Sequence, residues 1–302
     1  MNFAAARSLV ALNNAFYQEH AASFSATRSA PWMGWSQMAD VVQAELGGEG
    51  TAMPDPLHIL DLACGNLRLE RFLTQRLKTT HPVFVAQDSC PKLAHDMPDN
   101  CTFQQLDILE RFLGEPEPQC PPGGSRPEEA ANDALATGSD NLNDLDAAAP
   151  YVRGKDVAAK MGVQDAFDLA CCFGFMHHVP GRALRAAVLV YLMEALRPGG
   201  VAAVSFWQFM DDPRLARKAK ATTEQARSEH AHQDIADTLE EGDWLLGWQD
   251  DGSALRYCHH FCEREIDELV SALPAGTATE ISRFSADGKT GALNRYIMLK
   301  RQ

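Results

Sequence analysis

Three acids and one glycine are the first residues along the chain with the spacing of a binding site. In His58-Ile-Leu-Asp61-Leu-Ala63-Cys-Gly65-Asn66 an apolar run ends in an acid, passes a glycine and leads into a helical stretch. Gly65 has no Cβ, so the backbone there can come close to a ligand. The N–H groups opening the next helix suit an anionic group such as a carboxylate. Asp88 ends a second apolar run; it either accepts hydrogen bonds from two ribose hydroxyls or complements the dipole of the following helix. Asp107 follows a third run, within reach of an adenine amino group. The order acid-plus-glycine, acid, acid describes a nucleoside-shaped site better than any one of them alone. The three-glycine dinucleotide fingerprint and the phosphate loop ending in Lys-Ser or Lys-Thr are both absent.

These residues need a parallel sheet to bring them together. The pattern predicts strands at 57–62, 83–86, 102–106, 167–173, 201–207 and 293–299, with weaker strands at 254–261 and 276–284. Helices are expected at 66–78, in a short piece after Pro91, at 181–196, over much of 213–240 and at 262–273. Arg197-Pro-Gly-Gly200 reads as a turn. This is the βαβ rhythm of a doubly wound, mostly parallel α/β sheet of seven strands. Residues 1–50 read as an N-terminal helical lid broken at Pro31, and residues 51–302 as the binding domain. The segment 114–150 interrupts the rhythm with Pro, Gly, Ala and eight acids against one base. Such a composition cannot bury enough apolar surface to order itself, so a flexible acidic insertion is expected there.

That insertion supplies half of the net charge of −14, and the rest of the chain is mildly acidic. The overall field therefore does not attract a polyanion. Arg214, Arg217, Lys218, Lys220 and Arg227 fall on one helix and either touch phosphates or form a solvated face. The opening residues lack a basic start followed by an apolar run, and no stretch is long and apolar enough to span a membrane, so a cytoplasmic protein with reduced thiols is expected. Cys258-His-His260-Phe-Cys262 has metal-type residues, with Cys258, His260 and Cys262 on one face if the strand runs that far. No second pair at zinc spacing accompanies it, so no metal is expected.

The motifs resemble those of the class I methyltransferases that use S-adenosylmethionine. Asp61–Asn66 matches their first motif and Ala86-Gln-Asp-Ser89-Cys-Pro-Lys-Leu93 their second, while Asp107 falls on the third. Phe167-Asp-Leu-Ala-Cys-Cys172-Phe173-Gly-Phe-Met-His177-His178 matches the fourth strand, and Leu196–Gly200 the turn before the fifth. The resemblance implies S-adenosylmethionine as cofactor, held by Tyr17, Arg28, Asp61, Ala63, Gly65, Asn66, Asp88, Ser89, Asp107, Ile108, Cys172 and Phe173. His177 and His178 would lie near the transferred methyl or cap a helix, and Trp207 would wall the acceptor pocket or pack in the core. The family usually has glycine at the positions of Ala63 and Leu67. Ala63 is a mild change if φ is negative there, whereas Leu67 would crowd the methionine end of the cofactor.

A narrower resemblance is to the eukaryotic wobble-uridine carboxymethyl tRNA methyltransferases. It rests on Tyr17, Phe24-Ser-Ala-Thr-Arg28-Ser-Ala-Pro-Trp32, Val204–Trp207, Gly242–Trp248, Arg256–Phe261 and Asn294–Lys300. It implies esterification of a carboxymethyl group on tRNA and a small zinc-binding activator subunit as partner. A carboxylate acceptor is ionised at neutral pH and needs no general base, and Arg28 suits bidentate contact with it. The acidic insertion is foreign to that branch. A small-molecule O- or N-methyltransferase and a non-catalytic binding module are the alternatives.

Overall fold

The computed structural model describes residues 1–48, 52–78, 80–114, 149–248 and 251–302. The expected insertion lies almost wholly outside them. In chain order the elements are α1 (Phe3–Ala26), α2 (Met33–Leu46), β1 (Leu57–Leu62), α3 (Arg68–Arg76), β2 (Pro82–Asp88), β3 (Cys101–Gln105), α4 (Ile108–Leu113), α5 (Ala149–Lys160), β4 (Phe167–Cys172), α6 (Arg182–Ala195), β5 (Leu196–Trp207), α7 (Pro213–Ser228), α8 (Gln233–Ala236), β6 (Asp243–Trp248), β7 (Asp251–His259), α9 (Glu263–Ser271), β8 (Ala278–Ala286) and β9 (Asn294–Arg301). Among the described residues no helix is long and apolar enough to cross a membrane.

The helix starts follow from side chains that satisfy free backbone N–H groups. Asn2 accepts from Ala5 N at 2.9 Å, Asp107 from Leu109 and Glu110 N, and Asp212 from Arg214 and Leu215 N ahead of Pro213. The short helix expected after Pro91 is only a turn, closed by Leu93 N onto Cys90 O, and the chain reverses at Asp96 with φ of 51°. The helix expected from residue 66 starts at Arg68, because Leu67 is left-handed.

Seven strands form one sheet in the order β3-β2-β1-β4-β5-β9-β8. All run parallel except β9, which is antiparallel to both neighbours. The chain winds outward from β1 in one direction and from β4 in the other, which opens a crevice above the carboxyl ends of these two strands. Side-chain alternation divides the core into two layers. Leu60, Leu62, Ala170, Cys172, Val204 and Ile297 pack towards α4, α5 and α6, whereas Ile59, Leu169, Cys171, Ala203 and Met298 pack towards α2 and α3. The N-terminal helices contribute to these layers. Ala6 and Val10 of α1 join the first, and Trp35, Met38, Ala39 and Val42 of α2 the second.

The hairpin β6–β7 was only half expected, since β6 carries no strand pattern strong enough to read. It stands apart from the main sheet and is fastened by a buried polar network. His259 bonds Asp243 through Nδ1 at 2.7 Å and Glu265 through Nε2 at 2.8 Å, and Arg185 meets Glu265 at 2.7 Å and Asp243 at 3.4 Å. The Tyr257 hydroxyl donates to Asp243 at 2.7 Å. Burial alone would raise both carboxyls, but the His259 hydrogen bond and the Arg185 charge outweigh it and hold them below the usual range. Carboxyls depressed in the folded state contribute stability above their unfolded pKa of about 4 and lose it as pH falls through the folded values. The Tm of the native protein should therefore exceed that of Asp243→Asn at pH 7, and the gap should narrow as pH drops below about 4. Thermal unfolding followed by circular dichroism checks this; a gap that is constant with pH would mean that the network contributes no charge-linked stability.

Candidate functional site

The crevice above β1 and β4 deepens into a cavity of about 760 Å³. The loops after β1, β2, β3 and β4, the end of β5 at Trp207 and the β8–β9 connection form its floor, and α1 with the α1–α2 connection forms its wall. Of the residues singled out in the sequence, Tyr17, Arg28, Asp61, Ala63, Gly65, Asn66, Asp88, Ser89, Asp107, Ile108, Phe173, His177, His178 and Trp207 all line it. Cys172 does not. It ends β4 pointing into the α6-side core and is fully buried there.

The loop after β1 is held by its neighbour. Ala63 N and Cys64 N donate to Gln87 O, and Gly65 N donates to Asp88 Oδ2 at 2.9 Å. Asp88 Oδ1 accepts from Cys90 N at 2.8 Å, so one carboxylate ties together the loops after β1 and β2. A Cβ placed on Gly65 would meet nothing within 4 Å, and its φ is +56°. This leaves an open backbone cradle beside Asp88, which fits the ribose and methionine portions of S-adenosylmethionine. Asp107 caps α4 with Oδ1 and accepts from Asn14 Nδ2 at 2.6 Å with Oδ2, so its carboxylate already joins α4 to α1. Asn66 donates to Arg28 O at 2.9 Å and Arg68 donates to Ala30 O at 2.7 Å, latching the α1–α2 connection over the loop.

Two expectations about the first motif are corrected. Ala63 has φ of 61°, not negative, so it adopts the left-handed conformation in which a Cβ costs roughly 1–2 kcal/mol. Leu67 has φ of 58°, yet its side chain turns away from the cavity into the core with Trp35, Leu69 and Leu73 and crowds nothing in the site. Ala63→Gly should therefore stabilise the protein by about 1 kcal/mol in urea unfolding. Leu67→Gly should destabilise it, because the lost burial of about 2–3 kcal/mol exceeds the relieved strain. A destabilised Ala63→Gly would show that the loop conformation is not strained at that residue.

At the other end of the cavity Tyr17 donates its hydroxyl to His178 Nε2 at 2.7 Å, and His178 Nδ1 donates to Tyr257 O at 2.9 Å. A carbonyl only accepts, so His178 carries its proton on Nδ1. Burial, aided by the Arg256 charge, pushes its pKa down to about 3, and burial pushes Tyr17 up to about 12. Both are uncharged fixtures of the wall. His177 lies against Trp207 at 4.7 Å and is also held neutral by burial; its Nδ1 has no hydrogen-bond partner. His177, His178 and Cys258 bring three ligand-type atoms within 4.8 Å of one another. Both His178 nitrogens are engaged, and burial pushes the Cys258 thiol up to about 12, so the trio is packed as neutral groups. The alternation expected over Cys258, His260 and Cys262 fails, because β7 ends at His259 and Cys262 is exposed ahead of α9.

Arg256 and Trp248, which stand in segments of the narrower resemblance but were given no role in the site, are delivered to the cavity by the β6–β7 hairpin. Arg256 is 8% exposed, lies 5.2 Å from the Trp248 ring and 5.4 Å from Phe16, and its Nε is unpartnered. Arg28 stacks 3.5 Å over Phe24 and 5.5 Å from Trp248, and burial lowers its pKa to about 10, so it stays charged. Neither arginine pairs with an acid among the described residues. The available signal was a lone cation inside the apolar strand Ala254-Leu255-Arg256-Tyr257-Cys258.

No protein-family model matches the chain, and no curated protein matches it. Solved structures do. One is a SAM-dependent methyltransferase from Methanosarcina mazei, 15% identical, covering 82% of this chain and 94% of that one with a TM-score of 0.49. Another is the sugar N-methyltransferase of a Streptoalloteichus species, 12% identical, covering 92% and 91% with a TM-score of 0.47. A third is an N-methyltransferase from Bradyrhizobium japonicum in complex with S-adenosyl-L-homocysteine, 10% identical, covering 88% and 86% with a TM-score of 0.43.

Proposed function

We propose that the protein transfers the methyl group of S-adenosylmethionine to an acceptor carrying a carboxylate. The observation that carries this reading is one cavity that joins the Gly65–Asp88 cradle to two arginines, the buried Arg256 and the half-buried Arg28, neither paired with an acid among the described residues. When bound, S-adenosylmethionine supplies a methyl group already activated by its sulfonium. The protein's own work is alignment and exclusion of water. Each Asp88 oxygen accepts one backbone N–H and keeps a lone pair for a ribose hydroxyl. Arg28 and Arg256 orient the acceptor anion, while Tyr17, Phe24, Trp207 and Trp248 enclose it. An ionised carboxylate is its own nucleophile, and this suits a wall whose histidines are neutral and whose tyrosine is locked.

The narrower resemblance makes that acceptor a carboxymethyl group on a tRNA wobble uridine. Exposed Arg214, Arg217, Lys220 and Arg227 on α7 support a polyanionic substrate. Leu215 of the same helix packs against the same apolar cluster, Phe209, Ala219, Leu246 and Cys258, as Trp207, which lines the cavity. The test is methyl transfer from labelled S-adenosylmethionine to bulk tRNA and, separately, to a metabolite extract, with and without a small zinc-binding activator subunit. A methyl ester on tRNA would be released as labelled methanol by mild alkali. Alkali-stable label, or label confined to amines in the extract, would overturn the carboxylate reading.

A further inference from the structure

The cavity wall brings together two histidines and a cysteine from distant parts of the chain. His177 and His178 lie in the turn after β4, and Cys258 lies on β7. All three are buried, their ligand atoms fall within 4.8 Å of one another, and His178 Nδ1 stands 4.0 Å from Cys258 Sγ. The two imidazole rings are 4.0 Å apart. His177 Nδ1 is buried without a hydrogen-bond partner, a cost that the fold leaves unrelieved. With metal–nitrogen and metal–sulfur bonds of about 2.0–2.3 Å, the donors around one three-coordinate ion stand about 3.5–3.7 Å apart. Side-chain adjustments of about 1 Å therefore close the trio on an ion. In the free protein both nitrogens of His178 are engaged, but their roles can be exchanged. With a metal on Nδ1, the ring's one proton sits on Nε2 and donates to the Tyr17 hydroxyl oxygen across the same 2.7 Å contact, and Tyr17 turns its own proton away. Tyr257 O keeps the Asn13 Nδ2 donor at 3.2 Å.

The charge around the trio selects the ion. Arg256 stands two residues before Cys258, on the same face of β7, and its charge and that of Arg28 both bear on the two histidines. A divalent ion held by one thiolate and two neutral imidazoles would leave a net positive charge beside two guanidiniums that no acid among the described residues pairs with. A monovalent ion leaves none, and a thiolate among the ligands suits a soft one. We propose that His177, His178 and Cys258 form a three-coordinate site for copper(I), set in the cavity wall against the β6–β7 hairpin. Loading balances: the S–H bond of Cys258 breaks, a Cu–S bond forms, the proton leaves to solvent and no electron moves. The net charge of the wall is unchanged. The ion enters from the cavity, which His177 and His178 line, and Cys258 closes the site from behind.

The test titrates the native protein, without oxygen, against copper(I) held by a chromogenic chelator, and reads the loaded protein by X-ray absorption. One copper per chain should leave the chelator, and its coordination shell should hold one sulfur and two imidazole nitrogens. Losing an outer partner of a metal ligand already costs about 10–100-fold in affinity, so His177→Gln, which removes a ligand itself, should lower it by about a hundredfold or more. Cys258→Ala should lose the sulfur from the shell. If that variant does not fold, the shell of the native protein still decides. An excess of Zn²⁺ should not displace the copper. No copper taken from the chelator, a shell of two or more sulfurs such as the exposed Cys262 thiol would give with a second thiol, or unchanged affinity in His177→Gln each overturns the site. Displacement by Zn²⁺ overturns the charge argument and with it the assignment of copper(I).

Discussion

Asp88→Ala should weaken S-adenosyl-L-homocysteine binding by about two to three orders of magnitude while the protein remains folded. The reason is that one carboxylate has two tasks. It accepts from Gly65 N and Cys90 N, which holds the loops after β1 and β2 in register, and its remaining lone pairs face the cavity. Taken at the lower end of the range for a hydrogen bond to a charged acceptor, about 1.5–2 kcal/mol each, two lost ribose contacts cost about 3–4 kcal/mol before any loosening of the loop. Asp88→Asn should fall between the two, because the amide keeps one acceptor and turns the other oxygen into a donor. Calorimetry measures the affinity and circular dichroism the fold. If Asp88→Ala binds within a few-fold of the native protein, the ribose does not sit at Asp88 and the cofactor placement fails.

The parts of this site that could be read from the sequence are those built from local pattern. A strand that ends in an acid and turns on a glycine leaves its mark within ten residues, and three such marks locate the edge of a sheet before any coordinates are known. β1, β2, β3, β4 and β5 therefore appear near their expected positions, and Asp61, Gly65, Asp88 and Asp107 line one cavity. What could not be read depends on contacts across the chain. Cys172 was placed at the site by its proximity to the end of β4, but strand alternation turns it into the core. Leu67 occupies a glycine position, yet the left-handed backbone sends its side chain inward. Glu70 looks like an ordinary residue of an amphipathic helix, yet α3 buries its carboxyl completely and without a hydrogen-bond partner. Arg256 lies far along the chain from Arg28, and only the β6–β7 hairpin, fastened through Asp243 and His259 and docked on α1 by Asn13 onto the Tyr257 backbone, brings the two guanidiniums to one ring.

That pairing of arginines is the feature whose energetics are hardest to explain without a ligand. Two guanidiniums share Trp248, burial and behind it the Arg256 charge lower the pKa of Arg28, and no acid among the described residues pairs with either. Stacking on Phe16, Phe24 and Trp248 offsets part of the cost of burial. It does not replace the hydrogen bonds that Arg256 Nε lacks. A site arranged in this way is less stable than its apolar counterpart, and under the proposed function the acceptor's anion would supply the missing partners. Arg256→Met should therefore leave the protein as stable as before, or raise its stability by about 1 kcal/mol, since it removes an uncompensated buried charge and keeps the apolar stem. The same substitution should lower kcat/KM for the acceptor by about two to three orders of magnitude, as two charge-assisted hydrogen bonds disappear. Affinity for S-adenosyl-L-homocysteine should not change. Arg256→Lys should recover little, because an ammonium cannot present the planar fork that aligns a carboxylate. A purely structural arginine predicts the reverse pattern, with stability falling by several kcal/mol and full turnover in whatever fraction stays folded. Urea unfolding and steady-state kinetics on the same preparation distinguish the two, and that reverse pattern would remove the acceptor anion from the account.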